Sequence, residues 1–456
     1  MSKIDKIKDI IDANLEKMDI SNEAKKRLRE KADYMGKNKV KKKFRILGVV
    51  AATIILALLI TLYNSKDLNI YAIDLMENIT PREIEAYNLS DDFILSTLDF
   101  SIELFKHAYD KDKNSLISPT SVLLALAITA NGADGETLEE FQTLLGGSDL
   151  TLDQLNKYYY SMSKKLTKVE IGEVNIANSI WYSQELDIKK DFLQTNGDYY
   201  SSDAYKVNFK LPGIDRKIND WVKNKTKNKI DKIVDEINPD TIMHIINAIY
   251  FKSEWKDKYM VRNTKKEDFY VDNNKTISVD FMSSNEYTYL KDNMAQGFMK
   301  LYKYGEYSFV ALLPDEGISI ESYINSMTGE GFLNILNSKL YENVFVSIPK
   351  FKFEFDTCLI SPLIEMGLNK CFSELAGFSK MVETPEGIFI GKINHKTFIE
   401  VNEGGTEAAA LTDLRLYGGV SIPEYITFNR PFVFAIVNNE TNLPLFIGTM
   451  NNPSME

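Results

Sequence analysis

Three histidines, His107, His244 and His395, and two cysteines, Cys358 and Cys371, are the only imidazoles and thiols among 456 residues. No GxSxG elbow surrounds a serine, no HExxH pair offers metal ligands, and no glycine-rich loop is placed to cradle phosphate. A serine–histidine–aspartate triad is defined by geometry, so spacing alone leaves it open. With no motif behind it, catalysis is not expected, and neither a cofactor nor a metal is called for. Two cysteines are too few for a disulfide framework. The run between them, SPLIEMGL, reads as mostly helical and separates them by roughly 15–20 Å at ~1.5 Å per residue, beyond the ~7 Å that a disulfide allows. Both are expected to be separate, small apolar core residues.

A second chemical signal is periodic. From Thr406 the alternate residues are Thr406, Ala408, Ala410, Thr412, Leu414 and Leu416, none charged or larger than leucine. The other set, Glu407, Ala409, Leu411, Asp413 and Arg415, holds every charge. Side chains alternate faces in a strand, so this phase suits a strand with one buried face. No proline interrupts it, and Gly405 before it lets the backbone turn into a sheet.

Such residues need elements to position them. FILSTLDFSIELFKHAY reads as an amphipathic helix. SVLLALAITANG reads as a more buried one, opened by Ser118-Pro119 and closed at Gly132. FVALLP, VFVSIP, FIEVNE, FVFAIV and LFIGTM read as strands. Helices come first and many strands follow, with helices between. That order predicts an α+β fold dominated by a large sheet.

The first 92 residues have a different character. Residues 1–45 carry 15 Lys/Arg against 8 Asp/Glu, so the remainder holds −18 of a total of −11. A basic arm on an acidic body argues against nucleic acid as the body's partner. Ile4–Lys31 reads as an amphipathic helix. Six Lys/Arg in residues 37–45 precede Ile46–Tyr63, a run of eighteen residues without charge. That length reaches the lower end of what spans a bilayer, and the preceding arm is too long for a signal peptide. The basic side is cytoplasmic by charge asymmetry. The expected organisation is therefore a cytoplasmic arm at 1–45, a transmembrane helix at 46–63, a stalk at 64–92 and an extracellular domain at 93–456. The Lys-, Asn- and Ile-rich composition suggests a bacterial source.

Several segments, in order, resemble the serpin family. Asn114–Gly146, which includes ISPTSVLLALAITANG, resembles its opening signature. Ile245–Trp255, IINAIYFKSEW, resembles the strand that carries its shutter asparagine and breach tryptophan. IPKFKFE, LIEMGLNKCF, NHKTFIEVNEGGTEAAA and FNRPFVFAI follow in family order. The resemblance covers roughly residues 93–453. It implies the serpin fold: a large central sheet, two smaller sheets, about eight or nine helices and an exposed reactive-centre loop, here near 403–424. It matches Ser118, Ser121, Asn247 and His395 to the shutter and Trp255 to the breach. It matches Glu403, Gly405, Thr406, Ala408, Ala409 and Ala410 to the hinge.

The resemblance also implies a mechanism. A protease cuts the loop and forms an acyl-enzyme, and the cut loop inserts as a new strand in the central sheet. The alternation from Thr406 to Leu416 meets that requirement, so an inhibitor of serine or cysteine endopeptidases is expected, acting as a monomer through a covalent complex. The alternative is a non-inhibitory serpin-fold binding module. Counting from Glu403 places the scissile bond after Gly419, and counting back from FNRPF gives Val420. Leu414-Arg415-Leu416-Tyr417-Gly418-Gly419 resembles the LRLRGG tail of ubiquitin-like proteins, which papain-like cysteine proteases cut. Arg415 would instead serve a trypsin-like enzyme. Tyr417 or Leu416 would serve a chymotrypsin-like or subtilisin-like one.

Overall fold

The chain divides into two units, Met1–Ile70 and Tyr71–Glu456. The computed structural model describes Lys26 and residues 72–146, 150–167, 173–272, 274–406 and 424–455. The span expected at 46–63, the arm before it (Lys26 aside) and loop residues 407–423, with Ala408, Ala409, Ala410 and every proposed scissile residue, lie outside the described residues. Among the described residues no helix is long and apolar enough to cross a membrane.

Nine α-helices occur among the described residues: α1 Asp91–Ala108, α2 Pro119–Ala130, α3 Gly135–Gly146, α4 Leu152–Thr167, α5 Lys190–Tyr200, α6 Ile214–Lys225, α7 Ile320–Ser326, α8 Gly329–Asn337 and α9 Ile360–Glu365. The strands are β1 Ala72–Asp74, β2 Ser115–Ile117, β3 Glu173–Ser183, β4 Asp203–Val207, β5 Met243–Glu254, β6 Lys265–Asp272, β7 Lys275–Glu286, β8 Tyr289–Lys291, β9 Ala295–Leu301, β10 Tyr307–Pro314, β11 Val344–Pro349, β12 Phe351–Cys358, β13 Lys392–Asn402, β14 Gly405–Thr406, β15 Glu424–Thr427, β16 Phe432–Asn438 and β17 Pro444–Met450. They form three sheets. The first runs β1-β4-β3-β5-β14-β13-β12, the second β2-β17-β16-β10-β9-β8, and the third β15-β11-β7-β6.

Helix α2 is apolar all round, and every one of its residues is buried. A helix of that kind has to lie inside the fold. It packs against β3 and β5 of the first sheet and β17 of the second. Ser118 caps it by accepting from Ser121 N, and Pro119 opens its first turn. That cap holds the start of α2 beneath the middle of the first sheet.

The first sheet is incomplete at its centre. β5 and β13 pair in parallel only from Lys392↔His244 to Lys396↔Ala248. At the other end β14 lies between them, with Thr406 opposite both Val401 and Ser253. Between those closures Ile249–Lys252 and Thr397–Glu400 leave their facing edges unpaired, among the described residues.

Two sequence expectations need correction. Residues 64–92 were expected as a stalk, yet Ala72–Ser90 lie against the body. β1 pairs with β4, Leu75 N donates to Ala204 O, and Arg82 binds the buried carboxylate of Asp198. Met76 and Ile79 supply the apolar contacts over Gly197. Backbone pairing at a sheet edge leaves no mark in composition. Cys358 is exposed, whereas Cys371 is buried, and both are free thiols. β12 turns Phe351, Phe353 and Phe355 inward and Lys352, Glu354 and Asp356 toward solvent, and the period of two puts Cys358 on the outward set.

Candidate functional site

The site is the seam between β5 and β13. At its closed end the backbone N–H of Ser118 donates to His395 Nε2 at 3.0 Å. Nε2 is therefore the acceptor, and the ring proton sits on Nδ1, which donates to Asn247 Oδ1 at 2.6 Å. The amide of Asn247 passes the chain on, to Ser121 O at 2.9 Å, to Ser121 Oγ and to Asn178 Oδ1 at 2.6 Å. Ser118, Ser121, Asn247 and His395, named from motifs scattered over nearly 280 residues, thus meet in one network that crosses the seam and grips the start of α2. His395 is wholly buried, and burial pushes its pKa down to about 3.

A second histidine–asparagine pair, missed in the sequence, crosses the same seam on the opposite face. His244 Nε2 lies 2.9 Å from Asn394 Oδ1, and Asn394 Nδ2 donates to Ile233 O at 3.1 Å. Asn219 of α6 holds that backbone in turn through Ile233 N and Val234 N. Because the Asn394 oxygen accepts, His244 Nε2 carries the proton. Burial lowers the His244 pKa to about 4, the Asn394 hydrogen bond opposes that, and Lys392 adds to it. The pairing depends on strand register, which sequence spacing does not display.

At the other end β14 is already seated. Thr406 is 1% exposed, and its Oγ1 lies 2.6 Å from the Tyr302 hydroxyl. Gly405 has φ of +151°, and a Cβ there would stand 2.2 Å from Ser253 O, so only glycine fits. Trp255, 1% exposed, donates its indole N–H to Asn402 O at 2.8 Å and its backbone N–H to Gly404 O at 3.0 Å. Tyr259 N donates to Glu403 O at 3.1 Å. The Glu403 carboxylate pairs with Lys350 at 3.0 Å and accepts from Thr264 Oγ1 at 2.8 Å. Burial works against its ionisation, but these partners prevail and hold it below the usual carboxylate range. Tyr302 and Thr264 carried no sequence signal, and Lys350 lay within the IPKFKFE motif without an assigned role.

His395 and His244 are buried, neutral and committed to amides, and no cluster of metal-binding side chains occurs among the described residues. What the seam offers is a strand-wide opening, pinned at one end by side-chain pairs and entered at the other by Gly405 and Thr406.

Comparison with known proteins agrees with that architecture. The family model for Serpin (serine protease inhibitor) matches residues 95–453. Serpin A3-6 of Bos taurus is 30% identical over 394 residues, covering 83% of this chain and 94% of its own. An uncharacterised serpin-like protein of Thermococcus kodakarensis is 30% identical over 366 residues, covering 78% and 84%. The native-state crystal structure of the thermophilic serpin tengpin has a TM-score of 0.79 at 42% identity, covering 84% of this chain and 100% of that one. The protein is therefore a three-sheet α+β protein of serpin fold. The chain belongs to the serpin family, which is a family of protease inhibitors rather than catalysts.

Proposed function

We propose that this serpin is a suicide inhibitor that traps a serine or papain-like cysteine endopeptidase by inserting its cleaved loop between β5 and β13. The observation that carries this is β14: Gly405 and Thr406 pair with both neighbours, and the edges beyond them stand open among the described residues. Continued in the same register, a strand would set Ala408 opposite Phe251, Ala410 opposite Ile249, Thr412 opposite Asn247 and Leu414 opposite Ile245. Those β5 positions face the core. Glu407, Asp413 and Arg415 would fall on the other face. Full insertion would separate both histidine–asparagine pairs.

The preferred bond in this reading is Gly419–Val420. The protease nucleophile adds to the Gly419 carbonyl carbon, the peptide bond breaks, and the Val420 amine takes a proton from the protease's catalytic acid. An ester or thioester then joins Gly419 to the enzyme. Insertion carries the protease away before water completes hydrolysis. In the same proposal residues 46–63 tether the inhibitor, with residues 64–456 outside the cell.

A carrier role is the second reading. It is favoured by one neighbour, human thyroxine-binding globulin solved in complex with its hormone, with a TM-score of 0.74 at 26% identity. Thermal melting before and after loop cleavage separates the two. A large gain supports the inhibitor, and no gain supports the carrier. Incubation with a protease panel, followed by denaturing gels and mass spectrometry, identifies the bond and the enzyme class.

A further inference from the structure

Beneath the hinge lies a buried ion pair that insertion, as set out above, does not use. Lys300 on β9 and Glu286 at the end of β7 have side chains 3% and 9% exposed, with Nζ 2.5 Å from Oε1. Ser284 Oγ donates to the same Oε1 at 2.5 Å. The ammonium stands 4.4 Å from the ring centroid of Tyr259 and 5.8 Å from that of Trp255, which is cation–π range. Two residues on from Lys300, Tyr302 stacks on Trp255 with centroids 4.6 Å apart and planes 14° apart. Trp255, Tyr259 and Tyr302 are the residues that hold Asn402, Glu403, Gly404 and Thr406. The pair thus joins the second and third sheets to the linker that carries the hinge.

Stability does not explain it. Desolvating two charges is costly, and a well-packed apolar pair of similar volume is commonly as stable or more so. Orientation is what charges add here, because one ammonium fixes two rings and one carboxylate at once. A hinge already seated through Gly405 and Thr406 also has to be kept from drawing in the rest. An uncleaved loop that slipped into the seam would no longer be available to a protease.

We propose that Lys300 and Glu286 are positioning residues for insertion: their ion pair clamps the Trp255–Tyr259 linker against β9, so that the hinge waits at Thr406 until the loop is cut. This rests on the reading that the loop inserts. The test replaces both charges at once, Lys300→Met with Glu286→Gln, because a single change strands a buried charge; glutamine keeps an acceptor for Ser284. Full-length wild type and variant are incubated, and the fraction still cleavable within residues 407–423 by a metalloprotease is followed over time. Melting temperature is measured in parallel. The variant should melt at or above the wild-type temperature yet lose its cleavable fraction about tenfold faster, as expected when a charge-assisted contact no longer raises the barrier. The charge-swapped pair Lys300→Glu with Glu286→Lys should recover part of the lifetime, which no general loosening of the core would do. A variant with wild-type lifetime overturns the clamp. Cleavage of the wild type is the separate control. If it raises the melting temperature while the variant's lifetime is normal, insertion stands and only the clamp falls. If it raises nothing, insertion fails and the clamp falls with it.

Discussion

His395 of β13 reaches across the seam to Asn247 of β5, Nδ1 to Oδ1 at 2.6 Å, while its other nitrogen accepts from the backbone of Ser118. A protonated ring would point an N–H at an N–H. The Ser118 bond therefore exists only with the neutral imidazole, and the same two strands are held on the opposite face by neutral His244.

Acid should weaken the fold through both rings. Their folded pKa values, about 3 for His395 and about 4 for His244, lie below the unfolded value of about 6.5. Above pH 6.5 neither state binds the proton and stability is flat. Below it the unfolded chain takes up protons that the folded chain refuses, so stability falls toward pH 4 and, for His395, toward pH 3. The limiting slope is about 1.4 kcal/mol per pH unit for each histidine. Denaturant midpoints between pH 7 and 4 measure it. His244→Gln keeps a donor for Asn394 and should remove about half of the histidine contribution, read between about pH 6 and 5, above the carboxylate range; an unchanged slope there would show that His244 does not contribute.

Thr406→Arg should turn an inhibitor into a substrate. Thr406 is enclosed and bonded to Tyr302, and a buried unpaired guanidinium costs several kcal/mol. The variant should be cut at the normal rate but form no SDS-stable complex. Full inhibition by it would show that insertion tolerates a charge at this seated position.

Asn247→Ala should destabilise the closed seam. It strips His395 Nδ1 of its acceptor and Asn178 Oδ1 of a donor, at about 1–3 kcal/mol for each buried group left unpaired. Calorimetry should show a lower melting temperature for the uncut chain. In the cleaved chain the insertion reading has the His395 bond already broken while the Asn178 bond persists, so the melting temperature should fall by less.

Gly418→Ala with Gly419→Ala tests the target class. A substrate tunnel that admits only glycine is blocked by any Cβ, so inhibition of a Gly-Gly-specific cysteine protease should be abolished at unchanged melting temperature. Inhibition of a serine protease that cuts at Tyr417 should hardly change. Rapid trapping of a serine enzyme at Arg415, Leu416 or Tyr417, unaffected by the double change, would rule out the Gly-Gly assignment.

Protease shaving of intact cells tests the tether. A released fragment of the body, with residues 1–43 protected, is the expected result. Digestion of the arm with the body protected would reverse the topology.

Much of this protein is readable before any fold is known, and the reason is local. Capping and an apolar run reveal α2 from Ser118 and Pro119, because a helix writes its start into neighbouring residues. The alternation from Thr406 shows which side chains a strand would bury, because the pleat has a period of two. The family motifs single out Ser118, Ser121, Asn247 and His395. None of these signals says who touches whom. Asn178 meets Asn247 across 69 residues, Asn394 meets His244 across 150, and Thr406 meets Tyr302 across 104. Lys300 and Glu286 belong to none of the motifs, yet both are buried. Such contacts depend on strand register and on which sheet lies over which, and a shift of one residue would turn each of these side chains to the other face. Residue spacing determines which side chains share a face, while tertiary packing alone determined that a polar seam and a seated hinge meet in the first sheet and that a buried ion pair joins the other two sheets beside them.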